Sequence, residues 1–482
     1  MVGIASFGAY IPFARLSRDD IAKAWGRGSM GGDRSVANND EDSMTMASEA
    51  IFDCLRGVDR QRVDGILFAS TTAPYKEKQC ATLLAWVTDI GPETITADYA
   101  NSLRSATSAL RAAVDAVSAG STSGVLVTAA DCRLGYPRSD FEQSFGDAAA
   151  ALLIANEGVV AAVEGSYSHC DELLDVWRTP EDIFVRSWEG RWVVEQGYRA
   201  NMELAVSTAL KRWGLVPKDF SKVIFPSPDA RTHRRLAQAL GFDEKTQLQD
   251  PYLATVGHSG TAHPLLMLVA ALEQAQPGDR ILLTAYGDGA DAFMLRITEE
   301  IEGMGPRRGV RGNLASKMVL PSYERYLSYR GILDTEPGEP FRLFPSATVL
   351  WRDRSSVLRC HGSRCRVCGT VSYPIQRVCV NCRSNDDYDE VRLSDKPGKV
   401  FTFSLDNLAG RSDDPVVVQT VVESEEGSAR IYCMMTDCQP SQVRVDMPVE
   451  LTFRRIYEGG GFHNYFWKCR PPREGGNQDR EH

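Results

Sequence analysis

Thr96–Gly120, TADYANSLRSATSALRAAVDAVSAG, reads as a buried strand end that runs through a tight elbow into a helix. Small residues at Ala100, Ser102, Ser105, Ala106 and Ser108 let the helix start approach neighbouring backbone closely. The free N–H groups of that start favour negative charge. A Cys or Ser placed there serves acyl transfer, because the positive helix end lowers a thiol pKa and stabilises an oxyanion. The apex of this elbow carries Leu103, which has no nucleophile to offer. Ser102 and Ser105 flank it without a recognisable base partner and read as close-packing residues.

Outward from the elbow, apolar runs predict strands at Val2–Ile11, Gly65–Ser70, Gly124–Ala130, Ala148–Ala155 and Val159–Val163, with Asp131–Asp147 as a loop. Helical spacing falls on Glu41–Leu55 and Gln79–Thr88. The order partly repeats after residue 200. Helix Arg199–Trp213, strand Lys222–Pro226, helices Ala230–Leu240 and Pro264–Gln274, and strands Arg280–Tyr286 and Ala292–Ile297 form a second half. Buried parallel strands alternating with helices imply an α/β core covered on both sides, with a site where the strand ends and loops of the halves converge.

The chain has 482 residues, enough for two or three domains, with 43% hydrophobic and 24% charged residues, which is ordinary for a globular protein. A net charge of −10 argues against a nucleic-acid partner. The opening MVGIASFGAYIP lacks a signal-peptide pattern and no apolar run reaches membrane-spanning length, so a cytoplasmic protein without a membrane partner is expected. Of the 12 cysteines, four form one compact cluster, which suits a metal site in a reducing compartment better than a disulfide framework.

Several separated motifs, in order, resemble hydroxymethylglutaryl-CoA synthase of the thiolase superfamily, above all its archaeal form. They are GIASFGAYIPFARL near the start, DVWR at Asp175–Arg178, EGRWVVEQGY at Glu189–Tyr198, GDRILLTAYGDGADAF at Gly278–Phe293 and SYERYLSYRG at Ser322–Gly331. The resemblance spans roughly residues 1–335. It implies a five-layered αβαβα thiolase-like fold, with halves at 1–165 and 166–310, acyl-CoA as substrate, and a homodimer or larger assembly. Carried over position by position, the family's acyl-accepting Cys falls on Leu103, its acid/base Glu on Thr71, its active-site His on Pro226 and its loop Asn on His258. A covalent acyl-enzyme at the usual place is therefore excluded chemically.

An aldol or retro-aldol reaction needs no acyl group parked on the protein. It requires an enolate-stabilising pocket and one base for the β-hydroxyl. The pocket is expected to use the backbone at Leu103, with Thr71 and the turn Gly287, Asp288 and Gly289. His258, in a Gly-rich loop before a helix that Pro264 starts, is the first choice as base; the alternative is a loop-capping histidine. His263 is second. Cys132, just past a strand, could face the cleft as a displaced nucleophile or be a buried small hydrophobe, and Tyr75 could bind a substrate oxygen or simply pack. Asp147 could orient a histidine or cap a turn. A protein of another class, a catalytically silent acyl-CoA-binding scaffold for a thiolase, also fits these losses.

Residues 311–358 read as a linker holding one short helix, Tyr323–Tyr329. Two CxxC pairs follow, Cys365 with Cys368 and Cys379 with Cys382, ten residues apart, which is the spacing of a closed structural zinc site in a ribbon at 359–390; Cys360 lies outside it. Short alternating segments over 391–475 suggest a small OB-type β-barrel, whose aromatics Phe401, Phe403, Tyr432, Phe453 and Tyr465 serve as core as easily as they would bind nucleic acid. The ribbon and barrel resemble the zinc-ribbon/OB-fold proteins that accompany thiolases as separate subunits, here fused.

Overall fold

The computed structural model describes residues 1–334, 345–411, 414–427 and 429–473. Nine strands form one sheet in the spatial order Lys222–Ile224, Arg280–Tyr286, Gly289–Ile297, Ala161–Cys170, Gly3–Tyr10, Ala148–Ala155, Gly124–Asp131, Gly65–Ala69 and Ile95–Tyr99. The two halves meet where Gly3 and Ile4 pair with Ala162 and Ala161. A Cβ at Gly3 would stand 2.2 Å from the Ala161 carbonyl oxygen, so the join demands glycine.

Strand alternation sorts side chains into three apolar clusters. Ile66, Phe68 and Leu126 face helices Ser43–Cys54 and Cys80–Val87 on the outside. Leu67, Val125 and Val127 face inward, onto helices Ser105–Ser118 and His263–Leu272, whose other sides meet Ile281, Leu283 and Phe293 of the second half. Val223, Leu282 and Met294 pack on helices Ala200–Trp213 and Ala230–Ala239. The result is helix, sheet, helix, sheet, helix, a thiolase-like α/β fold. Every residue of His263–Leu272 is buried, as the middle layer requires.

The sheet is mixed rather than parallel. Gly65–Ala69 runs parallel to both its neighbours, but Ala148–Ala155 returns antiparallel and Arg280–Tyr286 forms a hairpin with Gly289–Ile297. The Asp131–Asp147 connection holds only the helix Asp140–Ser144, too short to cover a sheet face, and two residues join the hairpin. The strand expected at Val159–Val163 runs on to Cys170, as Ala161–Cys170, because its far end pairs with Gly289–Ile297.

The segment expected to be a linker is built into the fold. Helix Gly309–Ala315 precedes Met318–Val319, which pairs with Ala14 and Arg15. In the expected helix Tyr323–Tyr329, Tyr323, Tyr326 and Tyr329 pack on Leu16, Ile21 and Val36. Of the reading over 311–358, residues 335–344 lie outside the described residues, as do 474 and 475 of the barrel reading.

Past this segment, His361–Cys365, Val371–Ser372 and Tyr388–Arg392 form a three-stranded ribbon. Gly398–Asp406, Val417–Ser424, Arg430–Met435, Phe462–Arg470 and Pro448–Gly459 close into a barrel around Val400, Val418, Cys433, Val449 and Cys469. Phe453, Tyr465 and Trp467 face away from that interior and join the outer cluster of the first half, as does Cys360. Phe401 and Tyr432 are exposed. No helix among the described residues is long and apolar enough to cross a membrane.

Beside that apolar contact runs a seam of buried charge. Arg454 is fully buried and pairs with Asp40 at 3.2 Å, Glu41 at 2.5 Å and Asp437 at 2.7 Å. Arg470 pairs with Glu49 at 2.6 Å and Glu450 at 2.8 Å, and Lys468 reaches Asp40 at 2.8 Å. Burial alone would raise the Glu450 carboxyl, but the Arg470 and Arg308 guanidinia override it and bring it down to about 2.

Removing one partner of a buried ion pair strands the others. Arg454→Met is expected to lower stability by about 3–5 kcal/mol, read from urea unfolding, whereas a loss below about 1 kcal/mol would mean that the seam contributes no more than a surface pair. Glu450, at 4.5 when unfolded and about 2 when folded, stabilises the native state above pH 4.5, and that contribution fades as pH falls toward 2. The unfolding midpoint of Glu450→Gln is therefore expected to vary less than the native one across that window.

Candidate active site

The elbow is built as its small residues suggest. Asn101, a residue that tolerates the left-handed region, takes φ 70°, and the Ser105 hydroxyl closes the turn by donating to the carbonyls of Ala100 at 3.0 Å and Ser102 at 2.7 Å. The hairpin turn of the second half presses onto it. A Cβ at Gly287 would lie 3.0 Å from Ser102 Oγ and 3.1 Å from the backbone nitrogens of Leu103 and Arg104. Arg104 locks the contact by donating to the carbonyls of Asp288 at 2.8 Å and His169 at 3.0 Å. Gly287, Asp288 and Gly289 thus hold the elbow in place and do not line the cavity beside it.

That cavity, about 690 Å³, lies between the halves, with Leu103, Pro226, His258 and Tyr286 in its wall. Most of the rest is apolar, including Phe141, Val176 and Trp177. The ribbon Val176–Trp177 with Arg186–Ser187 and the π-helical turn Val193–Arg199 flank it. The Leu103 N–H donates to no group among the described residues.

Below the cavity sits Asp131, wholly buried at the end of its strand. It accepts from Ser70 Oγ at 3.0 Å, from the Thr71 N–H at 2.8 Å and Oγ1 at 3.0 Å, from Thr72 Oγ1 at 2.9 Å and from the Thr261 N–H at 2.8 Å. Thr71 is thereby used up as an anchor and is absent from the cavity wall, contrary to its expected place in the pocket. The same carboxylate fixes the turn that follows His258.

His258 reaches the cavity, but as a neutral ring. Burial and then the charge of Arg133 push its pKa down to about 3. Its Nδ1 accepts from the Gly260 N–H at 3.2 Å, which places the proton on Nε2. A ring in this state donates a hydrogen bond and is a poor base at neutral pH. His263 stacks on it at 4.5 Å, is fully buried with its pKa held low, and is absent from the wall.

Of the two readings open for Cys132 and for Tyr75, the structure takes the packing one in both cases. Cys132 does not line the cavity: it packs toward the outer cluster with Sγ 3.7 Å from Thr72 Oγ1, and burial pushes the thiol up to about 11. Tyr75 accepts from the His463 N–H at 2.9 Å and stacks edge-on against that ring, so it docks the barrel rather than a substrate. Asp147, also buried, accepts from the Ala37 N–H at 2.7 Å and pairs with Arg330, with no histidine involved.

Three wall residues were not singled out from the sequence. Tyr286 donates to Asp175 Oδ2 at 2.5 Å, while Asp175 Oδ1 takes the Val176 N–H at 2.5 Å. Burial and that bond hold the tyrosine proton tightly. Arg133 stacks on Phe145, its guanidinium 4.5 Å from the ring centroid. Asp175 sits in DVWR and Tyr286 opens YGDG, both legible as family motifs but not as a facing pair 111 residues apart.

The four cysteines come together as spaced. Their sulfurs all lie within 4.8 Å of one another, with Cys365–Cys382 and Cys368–Cys379 each at 3.6 Å.

Comparison with known proteins agrees with this architecture. Residues 210–297 match the family model for the C-terminal part of 3-oxoacyl-[acyl-carrier-protein] synthase III. The hydroxymethylglutaryl-CoA synthase of Methanosarcina mazei is 31% identical over 343 residues, 68% of this chain and 98% of that protein. That of Methanopyrus kandleri is 30% identical over 336 residues, 67% and 96% of the two. A crystal structure of HMG-CoA synthase complexed with CoA superposes with a TM-score of 0.63 at 19% identity, covering 72% of this chain and 95% of the other. For 3-oxoacyl-[acyl-carrier-protein] synthase III from Aquifex aeolicus the TM-score is 0.53 at 21% identity, with 61% and 100% covered.

Proposed function

Since this chain belongs to the hydroxymethylglutaryl-CoA synthase family, we propose that it makes or breaks a carbon–carbon bond in an acyl-CoA, as an aldolase or retro-aldolase of a β-hydroxyacyl-CoA. The observation that carries this reading is Leu103 at the elbow apex, inside the wall of the shared cavity. With no thiol there, and with Cys132 turned to the outer layer, no acyl-enzyme intermediate is available.

In the cleavage direction, Asp175 takes the β-hydroxyl proton while Tyr286 holds its second oxygen. The new carbonyl forms as the C–C bond breaks, and the electron pair moves into the thioester enolate. The His258 Nε2–H and the Leu103 N–H donate to that enolate oxygen. The proton on Asp175 then returns to carbon, releasing the shortened acyl-CoA and an aldehyde or ketone. A scaffold that binds acyl-CoA without turnover is the competing outcome. The outer edge of Ile95–Tyr99, which has no strand neighbour among the described residues, is where we place the contact of a homodimer.

Intact-mass analysis after incubation with acetyl-CoA is expected to find no adduct on the native protein and one acyl group on Leu103→Cys. An adduct on native protein would overturn the non-covalent route. On a panel of β-hydroxyacyl-CoA substrates, His258→Ala is expected to lower kcat about 10²–10³-fold. With the ring held near a pKa of 3, no histidine step should appear in native kcat between pH 5.5 and 7.5; these pH bounds are about one unit around the ordinary histidine value. Binding without any turnover would favour the scaffold.

The cysteine cluster we assign to structural zinc. A tetrahedron with Zn–S of about 2.3 Å has sulfur–sulfur edges of about 3.8 Å, close to the observed 3.6 Å. All four positions would be filled by thiolates, so the ion would hold the ribbon and take no part in the reaction, and the adjoining barrel is read as OB-type. One zinc per chain is the expected metal content, and chelation should unfold the ribbon, exposing four thiols to a thiol reagent. A metal-free preparation with unchanged thiol protection would reject the assignment.

A further inference from the structure

Arg133 stands in the cavity wall with 6% of its surface exposed. It stacks on Phe145, yet among the described residues it makes no hydrogen bond and no ion pair. Other buried arginines here each hold at least one polar partner: Arg18 donates to the Gln143 carbonyl at 2.6 Å, Arg330 pairs with Asp147, and Arg454 holds three carboxylates. The two carboxylates close enough to influence Arg133 are already engaged, Asp131 by five donors and Asp175 by Tyr286 and the Val176 N–H. Burial lowers its pKa only to about 10, so it stays charged at neutral pH. A buried guanidinium without a direct hydrogen-bond partner is costly, and its fork of donors matches a carboxylate.

Its position says which part of a ligand it would meet. The side chain passes over Gly260, where a Cβ would stand 2.9 Å from Arg133 Cδ, and its charge acts on the adjacent His258. This is the buried end of the cavity, away from the exposed Asp140 and Trp188 at its rim. An otherwise apolar ligand with one carboxylate fits the inner end.

The geometry points to Arg133 as the anchor of a substrate carboxylate, carried either by the far end of the acyl chain or by a small keto acid that is the carbonyl partner. The inference rests on the acyl-CoA reading and narrows its substrate class.

Binding of glutaryl-CoA, valeryl-CoA and pyruvate would be measured calorimetrically on native protein, Arg133→Gln and Arg133→Lys. A carboxylate on the acyl chain predicts that native protein prefers glutaryl-CoA over valeryl-CoA by about ten- to a hundredfold. R133Q should erase that preference and R133K keep part of it. A carboxylate on the carbonyl partner instead predicts that pyruvate binds the native protein and R133K but not R133Q. Because only the stacking on Phe145 is lost and no hydrogen bond or ion pair is broken, R133Q without ligand should melt close to native protein, which separates lost recognition from lost folding. If native protein binds both thioesters equally and ignores pyruvate, the carboxylate site is overturned and the acyl-CoA reading survives. If neither thioester binds but pyruvate binds through Arg133, the acyl-CoA reading fails and the carboxylate site stands; no binding of any probe sinks both.

Discussion

Asp131 accepts five hydrogen bonds while wholly buried, and the geometry around the cavity follows from that one carboxylate. An ionised group removed from water costs several kcal/mol, on the order of what a whole domain has to spare, unless nearly every lone pair is satisfied. The chain meets that demand by bringing two distant loops to it, Ser70–Thr72 and the turn at Thr261. The turn carries His258, and the residue two past Asp131 is Arg133. The anchor therefore sets where the neutral ring and the unpaired cation stand, although it touches no ligand itself.

The same logic works on a larger scale between the barrel and the first half. A seam that buries Arg454, Arg470, Asp40, Glu41, Glu49 and the side chain of Asp437 together is a poor device for raising stability, since packed apolar residues would do as well. It does fix register. Phe453, Tyr465 and Trp467 supply non-directional burial beside it, and only one seating of the barrel satisfies all the charges at once. The C-terminal module is thereby held in a single orientation on helix Ser43–Cys54, which a separate subunit would have to find by collision.

The proposed reaction draws on the few polar groups of the cavity wall. A neutral donor at His258, an unclaimed N–H at Leu103, a carboxylate at Asp175 and the cation Arg133 sit in a wall that is otherwise mostly apolar, where each is worth more than in open solution. A cysteine at the apex would change the reaction without changing the frame. The frame is held by Gly287 and Arg104, both outside the reacting space.

Much of this was legible in the residues themselves. Continuous apolar runs over Gly65–Ala69 and Gly124–Ala130, the apolar Pro264–Leu272 and the turn glycines specify layered packing, because burial on two faces leaves few other arrangements. The paired CxxC spacing determines the sulfur cluster, since short knuckles bring their ligands together locally. Leu103 at the apex is also a fact of sequence. The tertiary structure alone decided which neighbour of Asp131 faces the cavity: past a strand end a one-residue slip exchanges faces, and Arg133 turned inward while Cys132 took the packed place that was one of its two readings. It likewise paired Asp175 with Tyr286 and drew Tyr75 to the barrel. Such contacts join residues more than a hundred positions apart, and their partners are set by how whole layers stack, which no local pattern encodes.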